Sequence, residues 1–66
     1  MLMERIERLI HERPGLTARA LAQALFGPDG YAERVTTECR LLAQLGRIAR
    51  RGEGGPSDPF TYHPAE

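Results

Sequence analysis

The side chains with the clearest capacity for chemistry are hydroxyl, amide and guanidinium groups between residues 34 and 51. Groups of these types donate hydrogen bonds to DNA base edges and to phosphates. Projected on a helix at about 100° per residue, several of them lie opposite an apolar line or beside the positions that do. The predicted base-reading candidates are Arg34, Thr36, Thr37, Arg40 and Gln44.

Three further arginines follow this helix and belong to a predicted strand. One interpretation of Arg47, Arg50 and Arg51 is that their guanidinium groups neutralise phosphates. The alternative is that they only protect a strand edge from pairing with other chains. The alternative for the helix is that Arg and Gln, which favour helices, simply solvate its surface. Two adjacent threonines favour the DNA interpretation, because Thr is a mediocre helix former.

The charge distribution concentrates the basic surplus at these candidates. Nine basic side chains balance nine acidic ones, and a formal net charge of zero does not by itself indicate a nucleic-acid binder. Residues 31–51, however, hold five arginines and two glutamates. Acidic side chains oppose the interpretation, because they repel phosphate: Glu53 and Asp58 in the following loop, and Glu33 near the helix start unless it accepts a hydrogen bond from a cytosine amino group.

The residues that serve enzymes and metal sites are not arranged for either role. Cys39 stands alone on the predicted inward line of the helix, which favours packing over a redox switch. His11 and His63 lack a second ligand at metal-binding spacing. The glycines of residues 52–55 lack the lysine and the helix of a phosphate-binding loop. We therefore expect no enzyme activity, no metal or other cofactor, and no small-molecule substrate.

Apolar periodicity and helix-breaking residues divide the first two thirds of the chain into three helices. Pro14-Gly15, Gly27 and Gly46 are typical helix stops. Thr17 is a typical N-cap, whose hydroxyl accepts a hydrogen bond from a backbone N–H of the second helix. The predicted helices cover residues 2–13, 18–26 and 31–45.

The third predicted helix carries the candidate residues on a surface opposite its core. Val35, Cys39 and Leu42 form the inward line, and Leu45 is expected to join it from one flank. The chain after this helix predicts a two-stranded hairpin.

In that hairpin, Ile48 is the core residue of a strand over residues 47–51. Phe60 and Tyr62 alternate with polar residues in a strand over residues 60–63, and a Gly- and Pro-rich loop joins the two. The 66 residues therefore predict a single domain of α+β class, mainly α, with three helices followed by a hairpin.

Two segments resemble one family. Residues 13–27, RPGLTARALAQALFG, resemble the opening of winged helix-turn-helix domains of bacterial transcriptional regulators. Residues 35–51, which contain CRLLAQLGRI, resemble their third helix and first wing strand. The resemblance implies a winged helix that binds double-stranded DNA and regulates transcription. In such domains the third helix enters the major groove, and the hairpin, or wing, touches the flanking backbone or the minor groove. For this chain the resemblance implies groove-facing side chains at Arg34, Thr36, Thr37, Arg40 and Gln44, and phosphate contacts from the strand and the wing base at Arg47, Arg50 and Arg51.

A second interpretation is a protein-interaction or dimerisation module of winged-helix fold that does not bind DNA. Net neutrality, the acidic loop and exposed apolar side chains at Met3, Phe26 and Leu41 favour it, with a homodimer or another protein as partner. RNA is the least favoured partner, because the few aromatic residues are typical of a core and not of a stacking platform. A lone cysteine, with no signal peptide and no long apolar run, predicts a cytoplasmic protein without a membrane partner.

Overall fold

Three helices and three short strands make up the part of the chain that the computed structural model describes, residues 1–65. The elements in chain order are α1 Leu2–Glu12, β1 Leu16–Thr17, α2 Ala18–Phe26, α3 Ala32–Gln44, β2 Ile48–Arg51 and β3 Thr61–Pro64. The prediction of a small, mainly helical α+β fold is confirmed. Each predicted helix end lies within one residue of the observed end.

The sheet differs from the predicted two-stranded hairpin, because it has a third strand. β3 lies in the middle, with β1 and β2 antiparallel on either side of it. Leu16 of β1 lies opposite Tyr62 of β3, and Thr17 lies opposite Thr61. The two-strand prediction is wrong because a strand of two residues shows no alternation in the sequence and its partner is distant along the chain.

The ends of α2 join it directly to β1 and, through a short turn, to α3. Thr17 is its N-cap, and the Thr17 hydroxyl oxygen accepts a hydrogen bond of 3.1 Å from the backbone N–H of Ala20, as predicted. The turn between α2 and α3 passes through Gly30. A Cβ atom at Gly30 would lie 2.6 Å from the backbone oxygen of Ala22, so glycine lets α3 begin close against α2.

The core lies between the three helices and one face of the sheet. The prediction of the inward line of α3 is confirmed, because all three of its residues are buried. The buried core residues are Ile6, Ile10, Leu21, Ala22, Val35, Cys39, Leu42, Ile48 and Tyr62.

Two apolar residues depart from their predicted places. Leu45 is 61% exposed, because it follows the last residue of α3 on a flank that the other helices leave open to solvent. Met3 is partly buried and packs against the core, where exposure was predicted. Met3 precedes the buried Ile6 by three residues and therefore shares its side of α1.

Candidate nucleic-acid interface

The alternation of β2 directs Arg50 toward the C-terminal half of α3. Side chains two residues apart on a strand share one face of the sheet, so Arg50 lies on the same face as the buried Ile48. The strand register sets Arg50 opposite Tyr62 of β3, which is also buried. Arg50 itself is exposed and therefore lies where the sheet meets solvent beside α3.

A groove forms at this meeting of α3 and β2, lined by Arg40, Ala43, Gln44 and Arg50. We call it the α3–β2 groove. Arg40 and Gln44 are four residues apart and so lie one turn apart on α3. Ala43 is small and partly buried, which leaves room between the longer side chains. Because two of its four lining side chains carry guanidinium groups and none is acidic, the groove is suited to a negatively charged partner.

An aromatic ring supports the arginine on the strand side of the groove. The guanidinium carbon of Arg50 lies 4.1 Å from the centroid of the Phe60 ring. A cation–π contact at an exposed site contributes about 0.5–1 kcal/mol and restricts the orientation of the guanidinium group. Gly54 lets the loop pass over the same ring, because a Cβ atom there would lie 2.5 Å from Phe60 Cε2.

The sequence predicts Phe60 only as a core residue, and its support of Arg50 is a function that the prediction missed. Strand alternation in the sequence holds half of the signal, and the register of the hairpin supplies the other half. Phe60 precedes Tyr62 by two residues, and Tyr62 lies opposite Arg50, so all three share one side of the hairpin.

Two titratable groups lie beneath the groove in their neutral forms. Burial, and after it the proximity of Cys39, raises the pKa of Tyr62, while Arg50 and Arg40 act in the opposite direction. Burial, followed by the charge of Glu38, raises the pKa of the Cys39 thiol to about 12. The buried thiol is therefore protonated at neutral pH, in agreement with the predicted packing role, since the thiolate is the reactive form.

The two threonines of α3 have local hydrogen-bond partners. The hydroxyl of Thr36 donates to the backbone oxygen of Ala32 at 2.9 Å, and that of Thr37 donates to the backbone oxygen of Glu33 at 3.1 Å. Such bonds to the preceding turn satisfy a Thr hydroxyl inside a helix without any ligand. Each hydroxyl oxygen can still accept a hydrogen bond.

Thr36 also faces a different groove from the two arginines. It is partly buried beside the start of α2, the loop and β3, whereas Thr37 is exposed. The residues that line this second groove are Thr17, Ala18, Arg19, Thr36, Gly54, Pro59, Phe60 and Tyr62.

The remaining predicted arginines are distributed around the molecule. Arg47 Nε donates to Glu7 Oε1 at 2.9 Å, which ties the end of the α3–β2 turn to α1. Arg34 lies in the first turn of α3, in a groove shared with Phe26 and Tyr31. Arg51 is exposed at the end of β2 and, by strand alternation, lies on the opposite sheet face from Arg50. Of the eight predicted site residues, the α3–β2 groove brings together Arg40, Gln44 and Arg50.

Other kinds of site are not found in the described part of the chain. Within residues 1–65, no group of three or more His, Cys, Asp or Glu side chains is placed to hold a metal ion. None of the helices described there is long and apolar enough to cross a membrane.

Comparison of the chain with protein-family models, with curated proteins and with solved structures finds no match. A functional assignment therefore depends on the α3–β2 groove itself.

Proposed function

We propose that this protein binds double-stranded DNA, with α3 in the major groove and the β2–β3 hairpin against the neighbouring backbone. The observation that carries this proposal is the convergence of Arg40, Gln44 and Arg50 on one groove between α3 and β2. Arg and Gln are side chains that pair with purine edges in the major groove. Arg50, oriented by Phe60, is positioned for a phosphate beside that groove.

The order of the elements supports a winged-helix interpretation of the fold. Apart from the short strand β1 between α1 and α2, the chain runs through three helices into a hairpin, with a tight connection from α2 to α3 at Gly30, and this order is typical of that family. In this interpretation the β2–β3 hairpin is the wing, and α3 is the helix that enters the major groove. Transcriptional regulation is the role that such a small DNA-binding domain would serve.

The protein acts in this proposal as a binding module and not as an enzyme. The one thiol, Cys39, is buried and protonated, so it is not available as a nucleophile.

Thr37 lies three residues before Arg40 and continues the exposed polar surface of α3. Arg51 adds positive charge at the end of β2, whereas Arg47 reaches phosphate only by leaving Glu7.

The salt dependence of binding tests the proposal directly. Fluorescence anisotropy with a labelled random-sequence duplex measures the affinity between about 50 mM and about 200 mM salt. With about four arginine–phosphate contacts, we expect the logarithm of the affinity to fall with the logarithm of the salt concentration at a slope of about −3 to −4. This slope corresponds to a loss of about 100-fold in affinity over that range.

Matched double variants locate the binding surface. Arg40→Ala/Arg50→Ala removes both guanidinium groups of the α3–β2 groove, and we expect it to weaken binding and make the slope shallower by about 2. Arg8→Ala/Arg13→Ala removes the same charge from exposed positions in α1 and just after it, so binding should change little. No binding at low salt, or an equal loss in the two double variants, would show that the proposal is wrong.

A further inference from the structure

A stripe of exposed and half-buried side chains runs along α3 and the residue at each of its ends, outside the α3–β2 groove. Its members follow one another at spacings of three and four residues, which is the repeat of a helix–helix contact line. Three of them are large apolar or aromatic side chains, exposed by 82% at Tyr31, 42% at Leu41 and 61% at Leu45. We call this stripe the α3 seam, and it consists of Tyr31, Arg34, Glu38, Leu41 and Leu45.

The α3 seam points in a different direction from the residues proposed to bind DNA. At about 100° per residue, it is rotated by about 120° from the surface that carries Arg40 and Gln44. Phe26, at the end of α2, is 44% exposed and lies in the same groove as Tyr31 and Arg34. The apolar surface of the seam therefore continues onto α2 at the N-terminal end of α3.

The two charged residues of the seam are available to a partner. The ion pairs found within residues 1–65 join Glu7 to His11 and to Arg47, and neither Arg34 nor Glu38 takes part in one there. The order along the seam is thus apolar, positive, negative, apolar. This order is complementary to itself when it is read in the opposite direction.

We propose that the α3 seam is the interface of a homodimer, in which the α3 helices of two copies pack antiparallel about a two-fold axis. With the axis beside residue 36, Arg34 of one copy lies opposite Glu38 of the other, and Tyr31 lies opposite Leu41. Each pairing occurs twice, because a two-fold interface uses the same surface of both copies. Leu45 then extends past the start of the other α3, where its neighbour is the second copy's Phe26.

This register favours a second copy over an unrelated protein, because a single antiparallel alignment of the two α3 helices pairs both charges and both apolar ends. A chain of 66 residues has a small core, and self-association adds buried apolar area to it. The evidence for this interface does not rest on the DNA-binding proposal, since the seam and the α3–β2 groove have no residue in common.

Charge reversal within the seam tests both the partner and the register. Sedimentation velocity measures association of the wild type, Arg34→Glu and Glu38→Arg from about 1 μM to about 1 mM, which covers weak to moderate affinities. We expect the wild type to dimerise. Each single variant places like charges opposite each other twice, so its dimer dissociation constant should rise at least about tenfold.

Mixing the two single variants provides the decisive measurement. In the mixed dimer, one copy carries carboxylates at both positions and the other carries guanidinium groups at both, so opposite charges face each other throughout. Dimerisation should therefore return in the mixture. Arg8→Glu, which makes the same charge change on the exposed side of α1, should dimerise as the wild type does.

Circular dichroism of the separate variants checks that each one still folds. We expect both to fold, because Arg34 is exposed and Glu38, although half-buried, has no ion pair in the described structure. A wild type that sediments as a monomer throughout the range would overturn the proposal. A mixture that dimerises no more than either variant alone would overturn it as well.

Discussion

The two solvent-facing sides of α3 differ in what they present to a partner. The α3–β2 groove collects positive charge from two elements, and the β-hairpin orients one of its arginines through Phe60. The α3 seam lies along α3 and its two capping residues, and it carries one positive charge, one negative charge and apolar ends. One helix of 13 residues thus presents a charged surface and a neutral, partly apolar surface, in addition to its buried line.

This difference explains why a net charge of zero is compatible with DNA binding. Several acidic side chains have places outside the α3–β2 groove. Glu7 pairs with Arg47, and Glu38 belongs to the seam. The carboxylate of Asp58, which the sequence suggests would repel phosphate, accepts a hydrogen bond of 3.1 Å from the backbone N–H of Glu53 and so stabilises the loop. The charge that bears on the proposed DNA binding is the local charge of the groove.

The two sides also conflict in geometry. Helices in contact lie about 8–10 Å apart, whereas two successive major grooves on one side of DNA are about 34 Å apart. A major groove about 12 Å wide admits one helix. A dimer joined through the seam therefore cannot place both α3 helices in DNA, and the helix of the second copy obstructs the approach of the first.

Competition between the dimer and DNA is the largest effect expected from this comparison. At a protein concentration about ten times the dimer dissociation constant, about a fifth of the chains are monomers, so the apparent affinity for DNA should fall about fivefold. Leu41→Gln weakens the seam without adding charge and should remove this deficit. Anisotropy titrations of both proteins with the same duplex, over a range of protein concentrations, measure the difference.

The stoichiometry of the complex gives an independent check on that competition. With a duplex of about ten base pairs, sedimentation should show one protein chain per DNA molecule and a decline of the free dimer as DNA is added. A complex of two chains on this duplex, formed more tightly by the wild type than by Leu41→Gln, would contradict mutual exclusion.

Loss of the ring beneath Arg50 should have a smaller effect, confined to the groove. Phe60→Leu keeps an apolar side chain against the core but removes the cation–π contact, which contributes about 0.5–1 kcal/mol. We expect a two- to fivefold loss of DNA affinity and no change in dimerisation. The control is Phe60→Tyr, which keeps an aromatic face for the guanidinium group and should keep most of the affinity.

The groove and the seam were predictable from the sequence to different degrees. Arg40 and Gln44 follow from helical projection, because the ends of α3 are marked by glycine and by the change of period. The contact of Arg50 with Phe60 depends on the hairpin register, and that of Arg47 with Glu7 joins residues 40 positions apart. Neither contact can be read from local spacing.

The third strand and the full seam escaped prediction for a related reason. β1 exists because Leu16 and Thr17 find β3 across the fold, which no local pattern in two residues indicates. Leu45 was expected in the core, because projection gives its angle on the helix but not which neighbouring element covers that angle. Burial depends on tertiary packing, so the sequence predicts the sides of α3 better than it predicts their neighbours.

The smallest predicted effect concerns Thr37, where one substitution distinguishes a contribution to helix stability from a contribution to DNA affinity. Its hydroxyl already donates to the backbone oxygen of Glu33, so Thr37→Ala removes no unsatisfied group. Ala is the better helix former, and we expect the free energy of unfolding to rise by about 0.5 kcal/mol in urea titrations. Affinity for a random duplex should stay within about twofold of the wild type, because a hydroxyl releases no counterion. A loss as large as that of Arg40→Ala would instead place Thr37 among the residues that bind DNA.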